Sequence, residues 1–102
     1  GFDRTWDSLM DNIEVRAMRH APNVQWNAAG NVIRNSRFYN SDAQWHAGFT
    51  LENLFEDNVV DARNGSGAYG HGLYASGPWS GLHGPQGPRN AVYNNDIVSR
   101  KD

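Results

Sequence analysis

Four histidines stand at positions 20, 46, 71 and 83, and two glycine-rich segments gather the residue types that move protons. One is Tyr69-Gly70-His71-Gly72-Leu73-Tyr74, and the other is Leu82-His83-Gly84-Pro85-Gln86-Gly87-Pro88-Arg89. Taking a proton from the carbon beside a carboxylate needs a base and a positive charge to stabilise the enolate. Arg89 with His71 or His83 supplies that pair, so these three are the candidate catalytic residues. The plain alternative for Arg89 is a salt bridge or a turn-exit hydrogen bond. Aromatic rings recur beside polar groups in Gln25-Trp26-Asn27 and Gln44-Trp45-His46, and again at Tyr74 and Trp79. Flat apolar faces with a few placed amides make a binding groove, which puts Trp26, Trp45, His46, Tyr74 and Trp79 forward as binding residues. The competing expectation is that Trp26 and Trp45 stack in the core or along one flank.

Other signals carry less. Gly65-Ser66-Gly67-Ala68-Tyr69-Gly70 fits the spacing G-x-G-x-x-G, but a dinucleotide site needs a helix to follow, and Gly72, Gly77 and Pro78 follow instead. Asn64-Gly65-Ser66 has the form of a glycosylation sequon. No two histidines are four apart as on a metal-binding helix, so strand stacking would have to assemble a zinc site. Cysteine is absent, which excludes disulfides, thiolate ligands and thiol catalysis. A net charge of -2 with no basic block longer than Arg100-Lys101 leaves no electrostatic footprint for nucleic acid. No apolar run approaches the roughly 18 residues of a membrane span.

The elements that must position these groups are written as a repeat. Asn31-Val32-Ile33-Arg34-Asn35-Ser36-Arg37-Phe38 superimposes on Asn53-Leu54-Phe55-Glu56-Asp57-Asn58-Val59-Val60, and both match Asn90-Ala91-Val92-Tyr93-Asn94-Asn95-Asp96-Ile97. Ser8-Leu9-Met10-Asp11-Asn12-Ile13-Glu14-Val15 is a looser copy. The Asn/Asp positions Asn12, Asn35, Asp57 and Asn94 are spaced by 23, 22 and 37 residues. A period of this size signals stacked units. Within each copy, short apolar stretches flank a polar corner, which reads as two strands around a turn. Asn tolerates the left-handed conformation such a corner needs, and stacked Asn side chains at Asn12, Asn35, Asp57 and Asn94 are the expected ladder. The long third interval carries about 15 extra residues, and residues 62–86 hold seven of the eleven glycines. A long glycine-rich loop is therefore expected over about 62–87.

The repeat, the 22-residue period and the phrase Asn-Val-Ile-Arg-Asn-Ser-Arg-Phe resemble right-handed parallel β-helix proteins, with the pectate-lyase-like superfamily as the nearest group. The resemblance covers roughly residues 6–98. It implies an all-β, single-stranded right-handed parallel β-helix of about four coils filling residues 1–102. It further implies an extracellular or periplasmic protein that binds acidic or neutral polysaccharide, as a polysaccharide lyase or a glycoside hydrolase. The alternative is a non-catalytic structural or adhesive spacer. Calcium is the cofactor the family admits, with Asp42, Glu56, Asp57 or Asp61 as oxygen ligands. Hydrolysis would need two carboxylates flanking the bond, for which Asp42 and Asp61 are the available types. Open strand edges at the two ends create an expectation of further coils in a longer chain, or of end-to-end self-association.

Overall fold

The computed structural model describes residues 1–63, 75–76 and 82–98, and these residues form strands and no helix. Twelve short strands run in triplets. The first is β1 (Phe2–Asp3), β2 (Leu9–Asp11) and β3 (Glu14–Arg16), and the second is β4 (His20–Gln25), β5 (Val32–Arg34) and β6 (Arg37–Tyr39). The third is β7 (Asp42–Ala47), β8 (Leu54–Glu56) and β9 (Val59–Asp61), and the fourth is β10 (Ala75–Ser76), β11 (Ala91–Tyr93) and β12 (Asp96–Val98). Each triplet gives one strand to each of three four-stranded sheets, in the orders β1-β4-β7-β10, β2-β5-β8-β11 and β3-β6-β9-β12. All strand pairs are parallel, an arrangement compatible with a parallel β-helix.

The second and third sheets are in strict register, with Val32 opposite Leu54 and Leu54 opposite Ala91, and with Phe38 opposite Val60 and Val60 opposite Ile97. The middle residue of each three-residue strand points inward, because side chains alternate across a strand. Ile33, Phe55, Phe38 and Val60 accordingly fill the core, joined from the first sheet by Ala21, Val24, Ala43 and Trp45. Trp45 lies against Phe55 with ring centroids 4.2 Å apart.

Polar residues stack inside as well, in two hydrogen-bonded rows. In one, Asn31 Oδ1 accepts the Ser8 N–H at 3.0 Å, and Asn53 Oδ1 accepts from the Asn31 N–H and side-chain amide at 3.1 and 3.0 Å. Asn90 Oδ1 does the same for Asn53 at 3.1 and 2.9 Å. In the other, Ser36 Oγ accepts the Ile13 N–H, Asn58 Oδ1 accepts the Ser36 N–H, and Asn95 Oδ1 accepts the Asn58 N–H, at 3.0 to 3.2 Å. Asn12, Asn35, Asp57 and Asn94 occupy the exposed corner between these rows, with φ of 53, 49, 53 and 49°. Of the expected ladder the last step forms, Asn94 Nδ2 donating to Asp57 Oδ1 at 2.6 Å, while Asn35 Nδ2 donates to Asp11 Oδ1, beside Asn12, at 3.0 Å. The Asn35 amide, and then the Arg34 guanidinium, hold the Asp11 carboxyl below its usual range.

The interval expected as one loop over residues 62–87 is interrupted by β10, which lies opposite Gln44 and Trp45 of β7. The first sheet thereby gains a fourth strand, and the extra residues fall on both sides of it. The G-x-G-x-x-G segment at Gly65–Gly70 and the Asn64 sequon lie outside the described residues.

Candidate functional site

The first sheet differs from the other two. Its strands β4 and β7 are six residues long and pair with two register shifts, one between His20 and Asn23 and one between Val24 and Gln25. Strict alternation is broken there, and Asp42 and Gln44 are buried beside the apolar Ala43 and Trp45. A buried carboxylate needs partners. Asp42 has them: His20 Nδ1, directly opposite on β4, lies 3.0 and 3.1 Å from its two oxygens, and Gln44 Nε2 donates to Oδ2 at 2.6 Å.

Two further imidazoles extend this pair. The His46 ring is centred 5.0 Å from His20 and 5.1 Å from His83. Burial, and then the neighbouring His20, His83 and Arg19, push the His46 imidazole below its ordinary pKa, with Asp42 opposing them. His46 is therefore neutral near pH 7. The segment carrying His83 is pinned to the preceding repeat by backbone bonds, Gly48 N–H to His83 O and Phe49 N–H to Pro85 O, both 2.8 Å. Gln86 Nε2 adds a bond to Thr50 Oγ1 at 2.7 Å.

Trp26 closes one side. Its ring is nearly parallel to that of His83, at 16° and 6.4 Å, and the Arg4 guanidinium sits 6.0 Å from its centre. Gly48 makes that placement possible: it has φ of 74°, and a Cβ there would come within 2.6 Å of the Trp26 ring. The turn from the first to the second sheet carries an aromatic side chain in each of the first three repeats, namely Trp6, Trp26 and Phe49, and Trp6 and Phe49 are exposed.

The residues singled out from sequence separate into groups. His46, His83 and Trp26 come together, while Trp45 is in the core against Phe55. Gln25-Trp26 and Gln44-Trp45 do not hold comparable places, because they are 19 residues apart where these strands pair residues 21 or 22 apart, which sets Val24, not Trp26, opposite Trp45. Arg89 sits at a left-handed corner with φ of 59° and forms an ion pair with Glu52. His71, Tyr74 and Trp79 lie outside the described residues. Asp42 and Asp61 are on different sheets, and Asp61 is held by Arg63, which keeps its carboxyl below the usual range. Among the described residues no group of three or more His, Asp or Glu side chains is placed to hold a metal ion, and no helix is long and apolar enough to cross a membrane.

Sequence reasoning missed the His20–Asp42 pair as a unit. A signal for it existed: the two residues are 22 apart, one period of the repeat, which places them side by side on neighbouring strands. No protein-family model, curated protein or solved structure matches the chain.

Proposed function

We propose that this chain is a right-handed parallel β-helix of four coils that binds acidic polysaccharide outside the cell or in the periplasm, and cleaves it by β-elimination. The observation that carries the reading is the row of three imidazoles, His20, His46 and His83, with a buried carboxylate at one end and an indole at the other. A neutral imidazole is a competent proton acceptor near neutral pH, and His46 is kept neutral by burial and by its neighbours. Asp42 accepts the His20 Nδ1 proton, which fixes that ring and leaves its Nε2 to exchange a proton with a ligand. Arg4 and Arg19 give the neighbourhood the positive charge that a uronate carboxylate seeks. Trp6, Trp26 and Phe49 offer ring faces along the adjoining turn.

In the step so assigned, His46 removes the proton beside the uronate carboxylate, and the electron pair forms a carbon–carbon double bond. The bond from the neighbouring carbon to the glycosidic oxygen breaks, and that oxygen takes up the proton that His46 has just gained, which returns His46 to its neutral form. Asp42 is buried against His20 and Gln44 and Asp61 is held by Arg63, so hydrolysis is left without two free flanking carboxylates from this pair.

The test is a panel of uronate and neutral polysaccharides, read by calorimetry for binding and by ultraviolet absorbance of the new double bond for cleavage. Uronate polymers are expected to bind and to yield unsaturated ends, with His46→Ala lowering the rate about 10²- to 10⁴-fold and Trp26→Ala weakening binding. Product formation indifferent to His46→Ala would dismiss the assignment of the base. No binding to any polymer would leave the structural or adhesive spacer as the better reading.

A further inference from the structure

The two ends of the stack are complementary to each other. Among the described residues, strands β11 and β12 have a parallel neighbour on one side only, as do β2 and β3 at the opposite end. At the β11–β12 end the inward side chains Val92 and Ile97 are 40% and 41% exposed, whereas their counterparts Phe55 and Val60 one layer down are fully buried. At the β2–β3 end Met10, Ile13 and Val15 pack against the core from one side and remain partly exposed.

The polar rows give the match a direction. In every layer a backbone N–H is accepted by a side-chain oxygen of the next layer: Ser8 by Asn31, Asn31 by Asn53, Asn53 by Asn90. Asn90 and Asn95 end the two rows. At the other end stands Ser8, whose hydroxyl donates to Trp6 O two residues back, as the Ser36 hydroxyl donates to Arg34 O. Ser36 in that posture accepts the Ile13 N–H of the layer before it. Ser8 thus presents the same acceptor to a layer that would precede it. The backbone follows suit: Val32, Leu54 and Ala91 N–H each donate to a carbonyl one layer earlier, which sets Leu9 N–H to donate to the Asn90 carbonyl of another molecule.

We propose that the chain associates with a second copy of itself head to tail, the β2–β3 end of one molecule continuing the sheets beyond β11–β12 of the other. Continuing the register places Val92 on Met10 and Ile97 on Val15, so each buries the other's exposed apolar surface. Ile13 stands where Ser36 and Asn58 stand in the other layers, so the second polar row has no side-chain acceptor across the junction. The same register opposes Asp96 and Glu14, a like-charged pair that weakens the contact. Because the two surfaces are different, each added copy leaves a fresh end, and the product is an open series rather than a closed dimer.

Sedimentation velocity of the purified chain over a hundredfold concentration range tests this. The weight-average mass should rise with concentration without levelling at two copies, and it should rise further with added salt, which screens Asp96 from Glu14. Asp96→Asn should strengthen association several-fold, and Ile97→Lys should weaken it at least tenfold while circular dichroism stays unchanged. A monomer at every concentration, a plateau at the dimer, or an Ile97→Lys chain that is folded and associates as well as the parent would each overturn the proposal. None of these readings depends on any glycan being bound.

Discussion

The second and third sheets on one side, and the first sheet on the other, solve the same stacking problem differently. In the former, every layer uses three-residue strands in unbroken register, and their inward polar groups are bonded to the layer above or below. In the latter, the two inner strands are six residues long, the register slips twice between them, and polar side chains are buried between layers. There Asp42 is satisfied by His20 and Gln44, yet Gln44 Oε1 is buried without a hydrogen bond among the described residues. Uniform layers make a scaffold in which one position is much like the next. Irregular layers place unlike residues side by side, and among the described residues imidazole, carboxylate and indole meet only there.

If the regular layers carry the stability, the largest loss should come from their polar row. Asn53→Ala removes the acceptor of the Asn31 N–H and the donor to the Ala28 and Leu51 carbonyls. Buried groups left unsatisfied in this way should cost about 3 kcal/mol, measured by urea denaturation. A loss no larger than that of an exposed substitution would erase the contrast between the sheets. At the corner, Asn35→Ala should cost only about 1 kcal/mol, since its hydrogen bond is exposed and the penalty is that of a left-handed backbone. Asn35→Gly should be close to neutral, and thermal unfolding of the two variants separates backbone strain from the lost bond.

The smallest effect belongs to the irregular sheet. His46 has a lowered pKa in the folded chain, so below the ordinary imidazole value of about 6.5 the unfolded chain binds a proton that the folded chain refuses. Stability should therefore fall as pH drops from about 6.5 toward the folded-state value, and be unaffected by His46 above that window. His46→Gln should flatten this part of the pH–stability curve. An unchanged curve would mean that His46 is as freely solvated as an imidazole in the unfolded chain.

The regular sheets were readable in advance because their layers share one pattern. Aligning Asn31 with Asn53 and Asn90 fixes the pairing of β5, β8 and β11, and of β6, β9 and β12, residue by residue. The same alignment drew attention to the corner residues Asn35 and Asp57, whose φ > 0 favours Asn, Asp or Gly. The amides that bond inside are at the start of each copy and one residue past the corner, where neither turn chemistry nor hydropathy marks an asparagine as buried. The first sheet was hidden for a different reason. His20-Ala21-Pro22-Asn23-Val24-Gln25 and Asp42-Ala43-Gln44-Trp45-His46-Ala47 have no common pattern, and the register shifts defeat any alignment that assumes one. Arg89 looked catalytic from its neighbours, but its backbone serves the corner that Asp7, Gly30 and Glu52 serve in the other layers, all with φ > 0.

The side-chain amides of Asn31 and Asn53 point the same way, each nitrogen toward the next oxygen of the row, and the row ends at Asn90. Hydrolysis of one amide to a carboxylate is among the commonest slow lesions of asparagine, and here it would be felt beyond one residue. A carboxylate at position 53 would aim negative oxygen at the Ala28 and Leu51 carbonyls and at Asn90 Oδ1, three acceptors to which it has no proton to give. The bonds that this nitrogen gives to its own layer and to the layer on either side would go together, leaving only those that the Asn53 oxygen accepts and the backbone N–H donates. Burial keeps water from Asn31, Asn53 and Asn58, so the arrangement that fixes the register also sets how slowly the folded protein ages.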